Sequence, residues 1–297
     1  MTRSPDHPFA FAALLIGSTS LAFGPWLVRL TGVGSVAAGF WRLALALPFL
    51  FVIAAVTRQP IHWPGRRLVL ITVLGGFFFA ADLALWHAGI RMTKLGNATL
   101  FGNTSSLIFA VYGLWLAGRA PSATQVSALG LAVLGAALLM GSSAELSTRN
   151  LAGDFLALSA GVLYTGYLIA VQRVRGELKP LPLLFIASLF GAVMLLPLSL
   201  ALGEQVVPND WTYVLWLAIG SQVIGQGLLV YAIGGLPPLV VGLTLLTQPA
   251  ISATVGWVVY REAFTWLDAL GAVAIAAALV LVRLPQRGLR APVEQPT

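Results

Sequence analysis

The sequence predicts an all-α integral membrane protein whose ten transmembrane helices form two inverted five-helix repeats. Three observations carry this. Hydrophobic residues make up 58% of the 297-residue chain and charged residues 9%, with a mean hydropathy of +0.90; soluble domains carry roughly 25% charged residues. Ten apolar stretches, each near the roughly 20 residues that cross a bilayer as a helix, follow one another with short connections. Landmarks also recur along the chain at a nearly constant interval, which pairs Gly24 with Gly166, Pro48 with Pro197, Gly76 with Gly220, Asp82 with Gln226, Asn103 with Gln248, and Gly130 with Gly271. Because each copy holds an odd number of spans, the second enters the bilayer from the opposite side, about a pseudo-two-fold axis in the membrane plane. A cleft between halves so related opens to either side, as a transporter requires.

The first repeat is expected over residues 9–141, the second over 153–284, and 285–297 form a disordered cytoplasmic tail with charges and prolines but no apolar period. Span one, 9–28, follows Arg3 as a signal peptide would, but the run is too long and no small-residue cleavage site follows. Span two, 36–56, is broken in polarity by Arg42 after Trp41, and span three, 68–87, by Asp82. Span four, 94–116, is polar for a membrane helix, with Asn97, Thr99, Asn103, Thr104, Ser105 and Ser106. Span five covers 124–141. Span six, 153–171, holds Tyr164 and Tyr167 around Gly166, and span seven covers 182–202. Span eight, 211–231, sets Gln222 and Gln226 on one face. Span nine, 238–259, answers span four with Thr244, Thr247, Gln248 and Ser252, and its Pro249 frees a backbone carbonyl and marks a kink. Span ten covers 267–284.

The net charge of +7 sorts by membrane side instead of marking a nucleic-acid surface. One side collects Arg3, Arg58, Arg66, Arg67, Arg119, Arg173, Arg175, Lys179, Arg283, Arg287 and Arg290; the other has Arg29, Arg91, Lys94, Arg149 and Arg261. That excess places both termini in the cytoplasm of a bacterial-type inner membrane. Trp63, Trp115, Trp211, Trp257 and Trp266 fall near span ends, where indoles favour the interface. The chain has no cysteine, which excludes disulfides, thiol catalysis and thiolate metal sites. It has no P-loop, no metal-type cluster and no nucleophile elbow, so neither an enzyme nor a bound cofactor or metal is expected.

An ionisable group inside hydrocarbon costs about 2.5 to 3.5 kcal/mol on insertion scales and is a functional candidate by default. Asp82 shares a helical face with Phe79 and Trp86, with His87 alongside. It either receives a substrate amine or a proton, or is satisfied by Arg42, His87 or backbone. Arg42 lies near the end of span two, where its stem can snorkel outward; the other reading is an ion pair with Asp82 or with a substrate carboxylate. His87, at the end of span three, is expected as an interface hydrogen-bonding group, with a titrating switch as the alternative. Gly24, Gly166 and Pro249 are candidate hinges, with close helix packing the favoured role of the two glycines.

The Trp41-Arg42 pair, the Gln248-Pro249 step, Tyr260-Arg261-Glu262 and the glycines Gly130 and Gly271, set in two five-helix halves, resemble the EamA-type carriers of the drug/metabolite transporter superfamily over residues 9–284. The first half departs from the pattern, with Asn103-Thr104 where the second has Gln248-Pro249, so helix four is expected to be straighter than helix nine. Asp82-x-x-x-Trp86-His87 and the polar helix four are most similar to bacterial aromatic amino acid exporters. The resemblance implies a basket of helices one, three, four, six, eight and nine around a central cavity, with five and ten peripheral. It also implies a small-molecule substrate, an amino acid or similar metabolite, exported by alternating access by a monomer that is embedded in a lipid bilayer and binds no nucleic acid. Asp82 or its helix face would meet the ammonium, the amides Asn97, Asn103, Gln222, Gln226 and Gln248 the carboxylate, and Phe78, Phe79, Trp86, Tyr164 and Tyr167 the side chain. With one intramembrane acid, facilitated export is favoured over proton-coupled export of drugs or metabolites. A lipid-modifying membrane enzyme is the alternative of another class.

Overall fold

Every regular element is a helix among the residues that the computed structural model describes, which are 9–93, 95–118, 120–141, 150–261 and 265–283. We number them α1 (Ala10–Leu30), α2 (Ser35–Val56), α3 (Arg66–Met92), α4 (Asn97–Leu116), α5 (Ala123–Gly141), α6 (Leu151–Val174), α7 (Pro180–Ala201), α8 (Trp211–Ile233), α9 (Pro238–Val259) and α10 (Trp266–Arg283). Among the described residues, nine of these are long and apolar enough to cross a membrane, and α5 carries a shorter apolar stretch, Ala123–Leu139. The expected tail, with Arg3, Lys94, Arg119, Arg149, Glu262, Arg287 and Arg290, lies outside the described residues. Large apolar side chains such as Phe51, Val56, Leu200, Val273 and Val280 point outward. Such a surface suits hydrocarbon, and it is tolerable there because each helix pairs its own backbone groups. Trp63, Trp115, Trp257 and Trp266 are likewise exposed at helix ends.

Several helices are interrupted, and polar side chains or prolines account for the interruptions. Pro25 and Pro48 each follow a break, at Phe23 in α1 and at Leu45 in α2. Helix α9 is broken at Leu246, one turn before Pro249, whose ring cannot coexist with a regular turn preceding it. Helix α4 is not the straighter partner that its lack of proline suggested. It breaks at Asn103, where the Asn103 Nδ2 donates to the Thr99 carbonyl (2.7 Å) and the Thr104 Oγ1 to the Phe101 carbonyl (2.7 Å). Side chains that take backbone carbonyls locally compete with the helical ladder, so asparagine achieves in α4 what proline achieves in α9. Helix α8 is π-helical from Leu217 to Gln226, and the Ser20 hydroxyl of α1 donates to its Gly220 carbonyl (2.8 Å).

The packing pairs the two halves in an ordered way. Helix α3 packs on α6 and α1 on α8; α4 packs on α6 and α1 on α9; α2 packs on α7, α4 on α9 and α5 on α10. Adding or subtracting five from each helix number returns the same set of partners. At the crossing of α5 and α10, a Cβ on Gly135 would stand 2.7 Å from the Gly271 carbonyl oxygen, and one on Gly271 would stand 2.7 Å from that of Gly135. Gly135 is therefore the close-approach partner of Gly271, whereas Gly130, its match in sequence, faces open space.

Helices α2 and α7 cap one another. Past the end of α2, Arg58 adopts φ 53° and the Gln59 amide donates to the Ala54 carbonyl (2.8 Å); past α7, Gly203 adopts φ 65° and the Glu204 amide donates to the Ser199 carbonyl (3.1 Å). These are Schellman-type ends, and they occupy matching positions of the two halves. The residue after each cap then reaches the start of the other helix. Gln59 Oε1 accepts from the Leu181 amide (3.4 Å), and the Glu204 carboxylate accepts from the amides of Val36 (3.2 Å) and Ala37 (2.8 Å). Gln59 and Glu204 stand at the same repeat interval as the amides they cap, Val36 and Leu181. Replacing Glu204 by alanine orphans two amides at the positive end of α2, at a cost of about 1–2 kcal/mol. Glu204→Ala is therefore expected to lower the thermal unfolding midpoint in detergent, with Glu204→Gln falling between it and the parent because an amide oxygen still accepts.

Candidate functional site

Matched positions of the two halves converge on one cavity of about 50 Å³, lined from α1, α2, α3, α4, α6, α8 and α9. Asp82 of α3 faces it together with its counterpart Gln226 of α8, and Asn103 of α4 with its counterpart Gln248 of α9. Phe79, Trp86 and Tyr164 supply aromatic walls, and Arg42, Ser105 and Ser106 add polar ones. The interrupted helices explain part of this: the break in α4 directs Asn103 inward and leaves Ser105 Oγ bonded to the Gly102 carbonyl (3.0 Å).

Asp82 is buried, at 7% exposure, and nothing among the described residues hydrogen-bonds its carboxyl. Arg42 does not snorkel outward. It is buried, donates through Nε to Gln222 Oε1 (3.2 Å) and lies over the Phe79 ring, 5.6 Å from its centroid. Gln222 is held in turn by donating to Ser188 Oγ of α7 (2.9 Å). Neutral partners thus replace the outward route, because α7 and α8 cover the end of α2 that a lone helix would leave open. Arg42 and Asp82 line the same cavity without forming an ion pair among the described residues. An acid and a base, both desolvated and each lacking an opposite charge in contact, share one space.

The remaining expected site residues are distributed around this centre. The Tyr164 hydroxyl accepts from Gln226 Nε2 (2.8 Å), while Gln226 Oε1 is buried without a partner. Tyr167 is fully buried and stacks on Phe79 at 4.5 Å, behind the cavity wall. Phe78 packs against Gly166, where a Cβ would meet its ring at 3.0 Å, and α6 runs unbroken through Gly166. Gly166 thus lets Phe78 pack closely, whereas Gly24 directly follows the break in α1. His87 does not reach the surface of the bundle. Because α3 extends to Met92, its ring is buried inside the bundle with Nδ1 against the Ser35 carbonyl (3.1 Å). Asn97 lies outside the lining, donating to the buried carboxylate of Asp154 (3.1 Å), which also accepts from Thr93 Oγ1 (2.7 Å). Gln222 and Gln226 do not share a role: one positions Arg42, the other faces the cavity. Leu21, Leu83 and Gly102 also line it, and their residue types carry no signal in the sequence that distinguishes them from core.

Residues 7–141 and 151–284 each match the EamA-like transporter family. The chain is 27% identical over 285 residues to the threonine/homoserine exporter RhtA of Salmonella typhimurium (strain LT2), covering 92% of each chain. It is 29% identical over 273 residues to the threonine/homoserine exporter RhtA of Escherichia coli (strain K12), covering 89% of this chain and 88% of that one. A solved crystal structure superposes with a TM-score of 0.73 at 17% identity, covering 95% of this chain and 98% of the other, which shows the shared fold. With both halves matched and a buried polar cavity at their meeting point, the chain belongs to the EamA-like transporter family: a multi-pass membrane transporter, not an enzyme.

Proposed function

We propose that the protein exports small neutral amino acids of the threonine or homoserine type from the cytoplasm, by alternating access about the cavity at Asp82. The observation that carries this reading is the buried acid and buried base that face one space without pairing. A zwitterion satisfies both, its ammonium on Asp82 and the unpartnered Gln226 Oε1, its carboxylate on Arg42 with Asn103 or Gln248. The RhtA relatives, threonine/homoserine exporters, support this substrate class over the aromatic one expected from the sequence.

The two halves act as inverted repeats. The reciprocal caps of α2 and α7, and the helix partnerships that survive exchange of the halves, support a two-fold axis through the cavity. Rocking one half against the other around a fixed site then exposes it to either side. The excess of basic residues on one side supports an inner-membrane protein with both termini cytoplasmic, working as a monomer since the cavity is complete within one chain. Facilitated export is favoured, because Asp82 is the one acid among the cavity-lining residues.

The test is efflux of labelled threonine, homoserine, phenylalanine and lysine from proteoliposomes, with and without an imposed pH gradient. Selective efflux of threonine and homoserine at equal rates in both conditions is expected. Acceleration by the gradient would replace facilitated export with proton antiport at Asp82, and no movement of any amino acid would overturn the substrate class.

A further inference from the structure

We propose that Trp86 is the size filter of this carrier, a movable wall whose displacement sets which side chains the site admits; the proposal rests on the amino-acid reading above. Trp86 stands one turn beyond Asp82 on the same face of α3. Its indole crosses from α3 to α1 and α4. Nε1 donates to the Ala98 carbonyl of α4 (3.3 Å), and the ring lies against two glycines. A Cβ on Gly102 would stand 2.7 Å from Nε1 and 3.1 Å from Cδ1, and one on Gly24 would stand 3.8 Å from Cη2. The seat exists because those two positions have no side chain.

Asp82 is therefore enclosed between two aromatic layers of different rigidity. Toward the Arg66 end of α3, Phe79 is fully buried, stacked on the fully buried Tyr167 and covered by the Arg42 guanidinium. Toward the Met92 end, Trp86 is half-buried and tied by one hydrogen bond at the long end of the usual range. Packed interiors resist displacement, so the tryptophan is the layer that yields. Trp86 and Asp82 line one cavity, so a substrate whose ammonium sits on Asp82 brings its side chain against the indole. The larger the side chain of the substrate, the further the indole must move to admit it. A short hydroxylated side chain needs a shift of the ring; an aromatic one needs its place.

The experiment compares efflux of threonine and phenylalanine from proteoliposomes for the parent, Trp86→Phe, Trp86→Ala, Gly102→Ala and the Gly102→Ala/Trp86→Phe double variant. The phenylalanine-to-threonine rate ratio is expected to rise in the order parent, Trp86→Phe, Trp86→Ala, by about tenfold or more at the end, the range that pocket-size discrimination supplies. Gly102→Ala pushes the indole into the cavity and is expected to slow threonine efflux, with the smaller ring of the double variant restoring it. Trp86→Phe keeps an aromatic wall and serves if Trp86→Ala fails to fold. Parent efflux with an unchanged ratio in both Trp86 variants would overturn the filter and leave the amino-acid reading standing. So would a Gly102→Ala defect that the double variant does not relieve. A parent that moves neither substrate would overturn both.

Discussion

Asp82→Asn is expected to slow threonine efflux about 10- to 150-fold, the factor that corresponds to losing a charged hydrogen bond worth about 1.5–3 kcal/mol. The substitution keeps shape and leaves a neutral amide facing the cavity, so folding is preserved while the ammonium loses its counter-charge. No described residue hydrogen-bonds the carboxyl, hence no internal hydrogen bond is broken. Initial efflux rates over a range of internal threonine concentrations measure it. Parent-like rates with a parent-like pH profile would remove Asp82 from the site.

Arg42→Gln is expected to abolish the stabilisation that threonine gives the detergent-solubilised protein, and to slow efflux by a factor similar to that of Asp82→Asn. A ligand at about 100 times its dissociation constant raises stability by about 2.7 kcal/mol, so the threonine-induced shift in melting temperature reports binding at Arg42 directly. The unliganded variant is also expected to melt below the parent. Asp82 is left as a lone buried charge, and Gln222 Oε1 loses the Nε donor that it holds at 3.2 Å. Combining Arg42→Gln with Asp82→Asn removes both charges, which should recover part of the stability and none of the transport. A threonine-dependent shift that persists in Arg42→Gln would limit Arg42 to a structural role on α2.

The recurrence of landmarks along the chain reappears in the structure as matched pairs meeting in one cavity: Asp82 with Gln226, and Asn103 with Gln248. That part of the site was legible because position along an apolar span and polarity are both local properties. The fates of the other candidates were not. Asn97 and Asn103 look alike in sequence, yet one is spent on Asp154 and the other faces the cavity. Two glutamines one turn apart in α8 part company, Gln222 onto Arg42 and Gln226 into the site, along a π-helical stretch that no residue pattern announces. Gly135, not Gly130, meets Gly271, because which face of α5 turns to α10 depends on the tilt and rotation that neighbouring helices impose.

By itself, then, the sequence determined the membrane class, the span order, the repeat and the scarcity of intramembrane charge, all of which follow from summed transfer free energies along the chain. Only the tertiary structure decided that Arg42 points inward, since an arginine snorkels or stays according to whether another helix offers an acceptor. Only it decided that His87 is interior, since the length of α3 past the last apolar run depends on what its end packs against. It also decided that an asparagine breaks α4 where a proline breaks α9, because a side chain competes with the helical ladder only where packing leaves the freed backbone groups a tolerable environment.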